Sequence, residues 1–192
     1  MKILFKALQF LFSIFIVNLL PGVSFAETVD ENIPIHTTIS AKLGNFLTPH
    51  NDTYYTLISV SSLRPYTLFR SKPAHEKIRS NYELAIGYAD GKQHGAIISA
   101  NMLAQRYLTS RSSGGFRPFV EAGIGLIYTE FRIPGQGLYL NFNPQVGIGF
   151  ERFTKKNKRH FASLRFSHIS NGELDDQNKG INSIALSFGH DF

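Results

Sequence analysis

Toward its C-terminus the chain reads Leu164-Arg165-Phe166-Ser167-His168-Ile169-Ser170-Asn171-Gly172. In an extended strand, side chains two residues apart share a face, which makes His168 and Ser170 neighbours. An imidazole beside a hydroxyl can take its proton. The pair therefore offers a nucleophile, Ser170, and a general base, His168, for acyl transfer on esters. A single His-x-Ser is weak as a motif, and two polar residues ending an apolar stripe could equally form a polar girdle. Tetrahedral intermediates also require donors for their oxyanion. Asn178, Asn171 and the backbone N–H groups around Gly172 are candidates by position. Asn171 has the opposite strand phase, so it could instead brace the following loop, and Asn171-Gly172 is also a good turn start. His36, His50, His75, His94, His160 and His190 show no metal-ligand spacing, and solvated or interfacial roles are expected for them. The sequence implies no metal and no cofactor.

The elements that must carry these residues are strands. From Leu138 one phase reads Leu138, Leu140, Phe142, Pro144, Val146, Ile148, Phe150, and the other Tyr139, Asn141, Asn143, Gln145, Gly147, Gly149, Glu151. Alternation this clean has the strand period of two. Phe116 to Glu130 repeats it, as does the last segment, with Ile184, Leu186, Phe188 and Phe192 against Ser183, Ala185, Ser187, Gly189 and Asp191. Eight strands are predicted, at 33–43, 53–62, 81–89, 95–108, 116–130, 138–153, 160–171 and 181–192. Several are separated by segments rich in Gly, Asn, Asp, Pro and Ser. An even count with no helical pattern between strands predicts an all-β, antiparallel, up-and-down barrel.

Residues 1–26 have the three parts of a secretory leader: Lys2 and Lys6, an apolar run from Ala7 to Leu20, and a small-residue site ending Ser24-Phe25-Ala26. The expected mature chain, 27–192, is long enough for one barrel domain and too short for two comfortable domains. Beyond the leader no apolar run reaches the roughly 18 residues of a membrane-spanning helix, so any membrane crossing must use strands. With no cysteine, disulfide scaffolds and thiolate chemistry are excluded. The formal net charge is +6. Much of the excess lies in Arg64 to Arg79 and in Lys155, Lys156, Lys158 and Arg159, which read as solvated turns. Nucleic acid is not the expected partner, because the chain is exported and carries no nucleic-acid-binding motif.

Alternation alone does not say which face points outward, and a soluble lipocalin-like barrel with an apolar lumen is the competing arrangement. A water-facing exterior should be rich in Lys and Glu. The polar phase here is mainly Ser, Gly, Asn and Gln, with Glu121, Glu151, Arg117 and Arg165 able to neutralise one another in a narrow lumen. That composition predicts a transmembrane outer-membrane barrel with aliphatic and aromatic residues toward lipid. Closing on Phe192 resembles the C-terminal aromatic signature of such proteins. With both termini periplasmic, the seventh predicted strand runs outward, and His168 and Ser170 fall on the outer wall near the leaflet that holds lipopolysaccharide.

The stretch Phe166-Ser167-His168-Ile169-Ser170-Asn171-Gly172, followed by Asn178-Lys179-Gly180-Ile181-Asn182, resembles the C-terminal signature of the PagL-type lipid A 3-O-deacylases. Arg117-Pro118-Phe119-Val120-Glu121-Ala122-Gly123-Ile124-Gly125 resembles their fifth strand. The resemblance is concentrated in the last 80 or so residues; the N-terminal half matches mainly in strand pattern. It implies an eight-stranded outer-membrane barrel of a Gram-negative bacterium that hydrolyses an ester of lipid A without a metal, using Ser170 and His168. It also implies a third member at Asn182, where the best-known enzymes of the family carry Glu. Asn182 could orient the imidazole through its amide oxygen, or a carboxylate among Glu173, Asp175 and Asp176 could do so. A non-catalytic barrel with a structural, adhesion or host-interaction role remains the rival reading. Whether the protein works alone or as a homodimer is left open.

Overall fold

The computed structural model describes residues 35–48, 52–66, 77–109, 115–132 and 135–192; the expected leader, residues 1–26, lies outside them. Among the described residues the strands are β1 (His36–Thr48), β2 (Thr53–Pro65), β3 (Ile78–Gly91), β4 (Gly95–Tyr107), β5 (Phe116–Thr129), β6 (Leu140–Phe142), β7 (Gln145–Phe153), β8 (Arg159–Ile169) and β9 (Ile181–Asp191). Pairing is antiparallel throughout and follows chain order, and β1 closes on β9. The short β6 and β7 are one stave. Pro144 has no N–H to give the ladder, yet the register against β5 is the same on either side of it, Leu126 facing Phe142 and Gly123 facing Gln145. The barrel therefore has eight staves, as the alternation predicts.

The apolar phase is outside. Ile39, Leu43, Ile58, Ile98, Val146, Phe150, Leu164, Phe166, Leu186 and Phe188 are all exposed, and Ile86 and Ile148 each to 60%. So continuous an apolar band is incompatible with water, and lipid must cover it. Tyr54, Tyr88 and Tyr128, toward the ends of their strands that face the β8–β9 loop, and Tyr139, just before β6, stand exposed, the belt that amphipathic aromatics form at a membrane interface.

The lumen is filled by charge pairs. Arg165 bridges Glu121 (Nε to Oε1, 2.6 Å) and Glu83 (Nη1 to Oε2, 2.9 Å), and Lys42 pairs with Glu83. Farther from the β8–β9 loop, Glu151 accepts from Arg159 Nε at 2.6 Å and from the Tyr107 hydroxyl at 2.8 Å, with Arg117 Nη1 at 3.7 Å. Glu121, Glu151, Arg117 and Arg165 neutralise one another as the sequence suggests, with Lys42, Glu83 and Arg159 added. The assignment of Arg159 to a solvated turn is corrected: it is 1% exposed, because it is the first inward residue of β8 and reaches Glu151 diagonally on the neighbouring β7. Arg79, at the other basic cluster's end, is likewise buried. His36 is not solvated either; it is buried and shares a 2.7 Å hydrogen bond between Nδ1 and Asp191 Oδ2. His94, His160 and His190 are exposed, while His50 and His75 lie outside the described residues.

The largest difference from the predicted boundaries is β1, which continues five residues past Leu43. The cause is a change in the lumen. Near the β8–β9 loop the interior becomes apolar, built from Phe46, Tyr55, Leu57, Ile97, Ile127, Phe131, Ile169, Ile181 and Ala185. There the apolar-out rule fails, and Phe46 points inward at 1% exposure. Ile169 and Ile181 belong to this plug and alternate with His168, Ser170 and Asn182, so the wall that carries the polar cluster is anchored from behind.

Candidate functional site

β8 and β9 pair so that His168 faces Asn182 and Ile169 faces Ile181. One residue farther, the register brings Ser170 opposite Gly180. His168, Ser170 and Asn182 are half-buried and share the outward phase with Phe166 and Ile184. The Nδ1 of His168 and the Oδ1 of Asn182 lie 2.7 Å apart. An amide oxygen only accepts, so Nδ1 is the donor, and in the neutral ring Nε2 is the nitrogen that carries the lone pair. The backbone of Ser170 is fixed by two bonds to Phe142, N to O at 3.1 Å and O to N at 2.8 Å. Among the described residues no hydrogen bond joins the Ser170 hydroxyl to the imidazole; substrate-free sites commonly hold such bonds long.

Gly180 forms the seat of the imidazole. Its φ is +69°, and a Cβ there would stand 2.7 Å from His168 Cε1 and 3.0 Å from Nε2. Only glycine lets the backbone lie so close to the ring. Its N–H donates to Gln136 Oε1 at 3.3 Å, and Gln136 Nε2 donates to Asn141 Oδ1 at 2.5 Å. The surrounding loops are tied together as well: Gly137 N donates to Gln177 O at 2.7 Å, and Lys179 N to Gly135 O at 2.8 Å.

The oxyanion candidates separate by their hydrogen bonds. Asn171 is fully buried; its N–H donates to Asn178 Oδ1 at 2.8 Å and its Nδ2 to the carbonyls of Gln177 (3.0 Å) and Asp175 (3.3 Å). Its donors are spent holding the loop. The Nδ2 of Asn178 and the N–H of Gly172 have no partner among the described residues. Gly172 takes φ +63°, with the Phe142 ring 3.1 Å from where a Cβ would be. Of the loop carboxylates, Asp175 Oδ1 accepts from Gln177 N at 2.9 Å, and neither Glu173 nor Asp176 has a hydrogen bond to the imidazole. No group of three or more His, Asp or Glu side chains among the described residues is placed to hold a metal ion.

A residue with no sequence signal completes the row. Thr48 Oγ1 accepts from Asn182 Nδ2 at 3.0 Å. Gln136 and the seat role of Gly180 were also unannounced, although Gly180 lies inside the motif already singled out.

A closed eight-stave barrel with an apolar exterior, a charge-paired lumen and a Ser, His and Asn cluster on its membrane-facing wall is an outer-membrane β-barrel of the kind found in Gram-negative bacteria. The family model described as "Lipid A 3-O-deacylase (PagL)" matches residues 66–191, and the chain belongs to that family. Two relatives are named lipid A deacylase PagL. The one from Bordetella bronchiseptica is 32% identical over 81 residues, 41% of this chain and 43% of the relative. The one from Pseudomonas aeruginosa is 26% identical over 115 residues, 58% of this chain and 64% of the relative. The matched stretches thus span less than two thirds of either relative. The crystal structure of the outer membrane enzyme PagL superposes with a TM-score of 0.58 at 20% identity, covering 79% of this chain and 97% of that one. Neisserial surface protein A superposes with a TM-score of 0.60 at 13% identity, covering 81% and 94%. At those identities the two likenesses concern the fold.

Proposed function

We propose that the chain is a lipid A 3-O-deacylase that hydrolyses an ester-linked acyl chain of lipopolysaccharide in the outer leaflet by a serine-esterase mechanism. The observation that carries this reading is the 2.7 Å contact between His168 Nδ1 and Asn182 Oδ1 beside Ser170 on the lipid-facing wall. It leaves Nε2 of His168 to act as the base, two residues along the chain from Ser170 and on the same outward face. The family and its relatives supply the substrate class.

Ser170 Oγ attacks the ester carbonyl while His168 Nε2 takes its proton. The tetrahedral oxyanion is received by the free donors, Asn178 Nδ2 and the Gly172 N–H. Its collapse breaks the bond to the sugar oxygen, which leaves with the proton from His168, and the acyl group stays on Ser170. Water, deprotonated by His168, then releases the fatty acid and restores Ser170. Asn182 keeps the imidazole in the productive tautomer but adds no charge to the imidazolium. Replacing Asp by Asn in a serine protease triad costs about 10⁴ in turnover, so this site should turn over more slowly than one with a carboxylate at position 182.

Every residue of the cluster comes from one chain, so a homodimer is not needed to build it. The mature enzyme starts at Glu27, after export and removal of residues 1–26. The test is mass spectrometry of lipid A from outer membranes with and without the protein and its Ser170→Ala variant. Loss of one ester-linked acyl chain only with the wild type is expected. An unchanged lipid A pattern in all three would favour the non-catalytic barrel.

A further inference from the structure

β1 and β9 pair in regular register from Thr38 facing Asp191 to Phe46 facing Ser183, and then slip: the next pair is Thr48 with Asn182. One residue, Leu47, has been inserted as a β-bulge. In β1 the even-numbered residues point inward, His36, Thr38, Ser40, Lys42 and Phe46 all being buried. Without the bulge Thr48 would follow them into the lumen, since a one-residue slip moves every later side chain to the other face. With it, Leu47 and Thr48 are both exposed, and the Thr48 hydroxyl meets the amide of Asn182 on the outer wall at 3.0 Å.

A neutral amide has two unlike ends. With its oxygen toward His168, Nδ1 is protonated and Nε2 is free to act as base. Turned over, its NH₂ would donate to Nδ1, the proton would sit on Nε2, and the imidazole could not accept a proton from Ser170. A carboxylate has no such dead orientation, because both its oxygens accept. The Asn at position 182 therefore creates a need for something that holds the amide.

We infer that Thr48 is a positioning residue, turned outward by the bulge at Leu47, which accepts from Asn182 Nδ2 and so holds the amide against His168 Nδ1. This rests on the esterase reading for its catalytic consequence, though not for its structural one. A second residue then does part of what charge would do in a Ser-His-carboxylate site, and does it from a strand remote in sequence.

The test uses the full mature chain folded in detergent. Thr48→Val keeps shape and removes the acceptor; Thr48→Ser restores it. Imidazole ¹⁵N spectra, with His168 assigned through His168→Gln, should show Nδ1 protonated in the wild type and in Thr48→Ser, and a mixture with Nε2 protonated in Thr48→Val. On purified lipid A, Thr48→Val should lower kcat by roughly tenfold at unchanged KM, the scale of one net hydrogen bond, with Thr48→Ser within about twofold of wild type. In an Asn182→Asp background, where the partner is symmetric, Thr48→Val should cost no more than about twofold further. An unchanged His168 tautomer in Thr48→Val overturns the proposal, as does an equal loss of kcat in the Asn and Asp backgrounds. If the wild type releases no acyl chain the esterase reading falls, while the tautomer comparison still decides the role of Thr48.

Discussion

Replacing Gly180 by alanine should inactivate the site while leaving the barrel folded. The new Cβ would stand 2.7 Å from Cε1 of His168. Ordinary van der Waals contact begins near 3.4 Å, so the ring or the backbone must yield by about 0.7 Å. A shift of that size takes the 2.7 Å bond to Asn182 out to about 3.4 Å, past the useful N–H···O range. Misplacement of a catalytic group by about 1 Å can cost a hundredfold in rate, so a loss of kcat of that order is expected. The positive φ adds a backbone cost of about 1–2 kcal/mol for any residue with a Cβ, too little to unfold the barrel. Gly135→Ala is the matched control. Its φ is +85°, and its Cβ would crowd the Lys179 side chain, at 2.9 Å from Cδ and 3.0 Å from Cβ, rather than the imidazole. Initial rates of fatty acid release from lipid A, alongside gel mobility of the folded form, separate the two effects. Full kcat in folded Gly180→Ala would refute the seat argument, and an equal loss in Gly135→Ala would trace the effect to general loop strain.

Ser170→Ala and His168→Ala should each abolish acyl release, and the double variant should be little worse than either, because members of one catalytic unit are strongly non-additive; activity retained in Ser170→Ala would remove this nucleophile. Asn182→Ala should lower turnover strongly and Asn182→Glu raise it above wild type, whereas neutralising Glu173, Asp175 or Asp176 should change it little; the reverse pattern would move the orienting role to the loop. Arg165→Met leaves Glu121 and part of Glu83 uncompensated inside the lumen, so stability in a urea titration of the folded barrel should drop by about 3–5 kcal/mol; an unchanged midpoint would mean that water reaches these carboxylates. The folded mature protein should migrate faster than its boiled form on gels and be extracted only by detergent, and release into buffer as a monomer would contradict a lipid-covered exterior.

The sequence by itself determined the barrel and its sidedness. Strand period is local, so Leu138 to Glu151 declares its two faces without reference to any partner, and the scarcity of Lys and Glu in the polar phase says that this phase lines the lumen and lipid covers the other. The same local rule placed His168, on β8, and Ser170, just past its end, together on one face. It could not place what comes from elsewhere in the chain. Arg159 read as one of a run of turn cations because its partner Glu151 lies on the neighbouring strand, and His36 read as solvated because Asp191 joins it only when the barrel closes. The apolar plug around Phe46 reverses the outward rule over the last turn of lumen, a matter of which side chains converge there, and so β1 read five residues short. At the site, Asn182 came within reach of His168 by strand register, Gly180 by the loop's positive φ, and Thr48 by a single inserted residue that turns it to the other face. A bulge leaves no trace in alternation when both neighbours are small or apolar, and only the pairing of β1 with β9 in the closed barrel decides on which side of the wall the Thr48 hydroxyl stands.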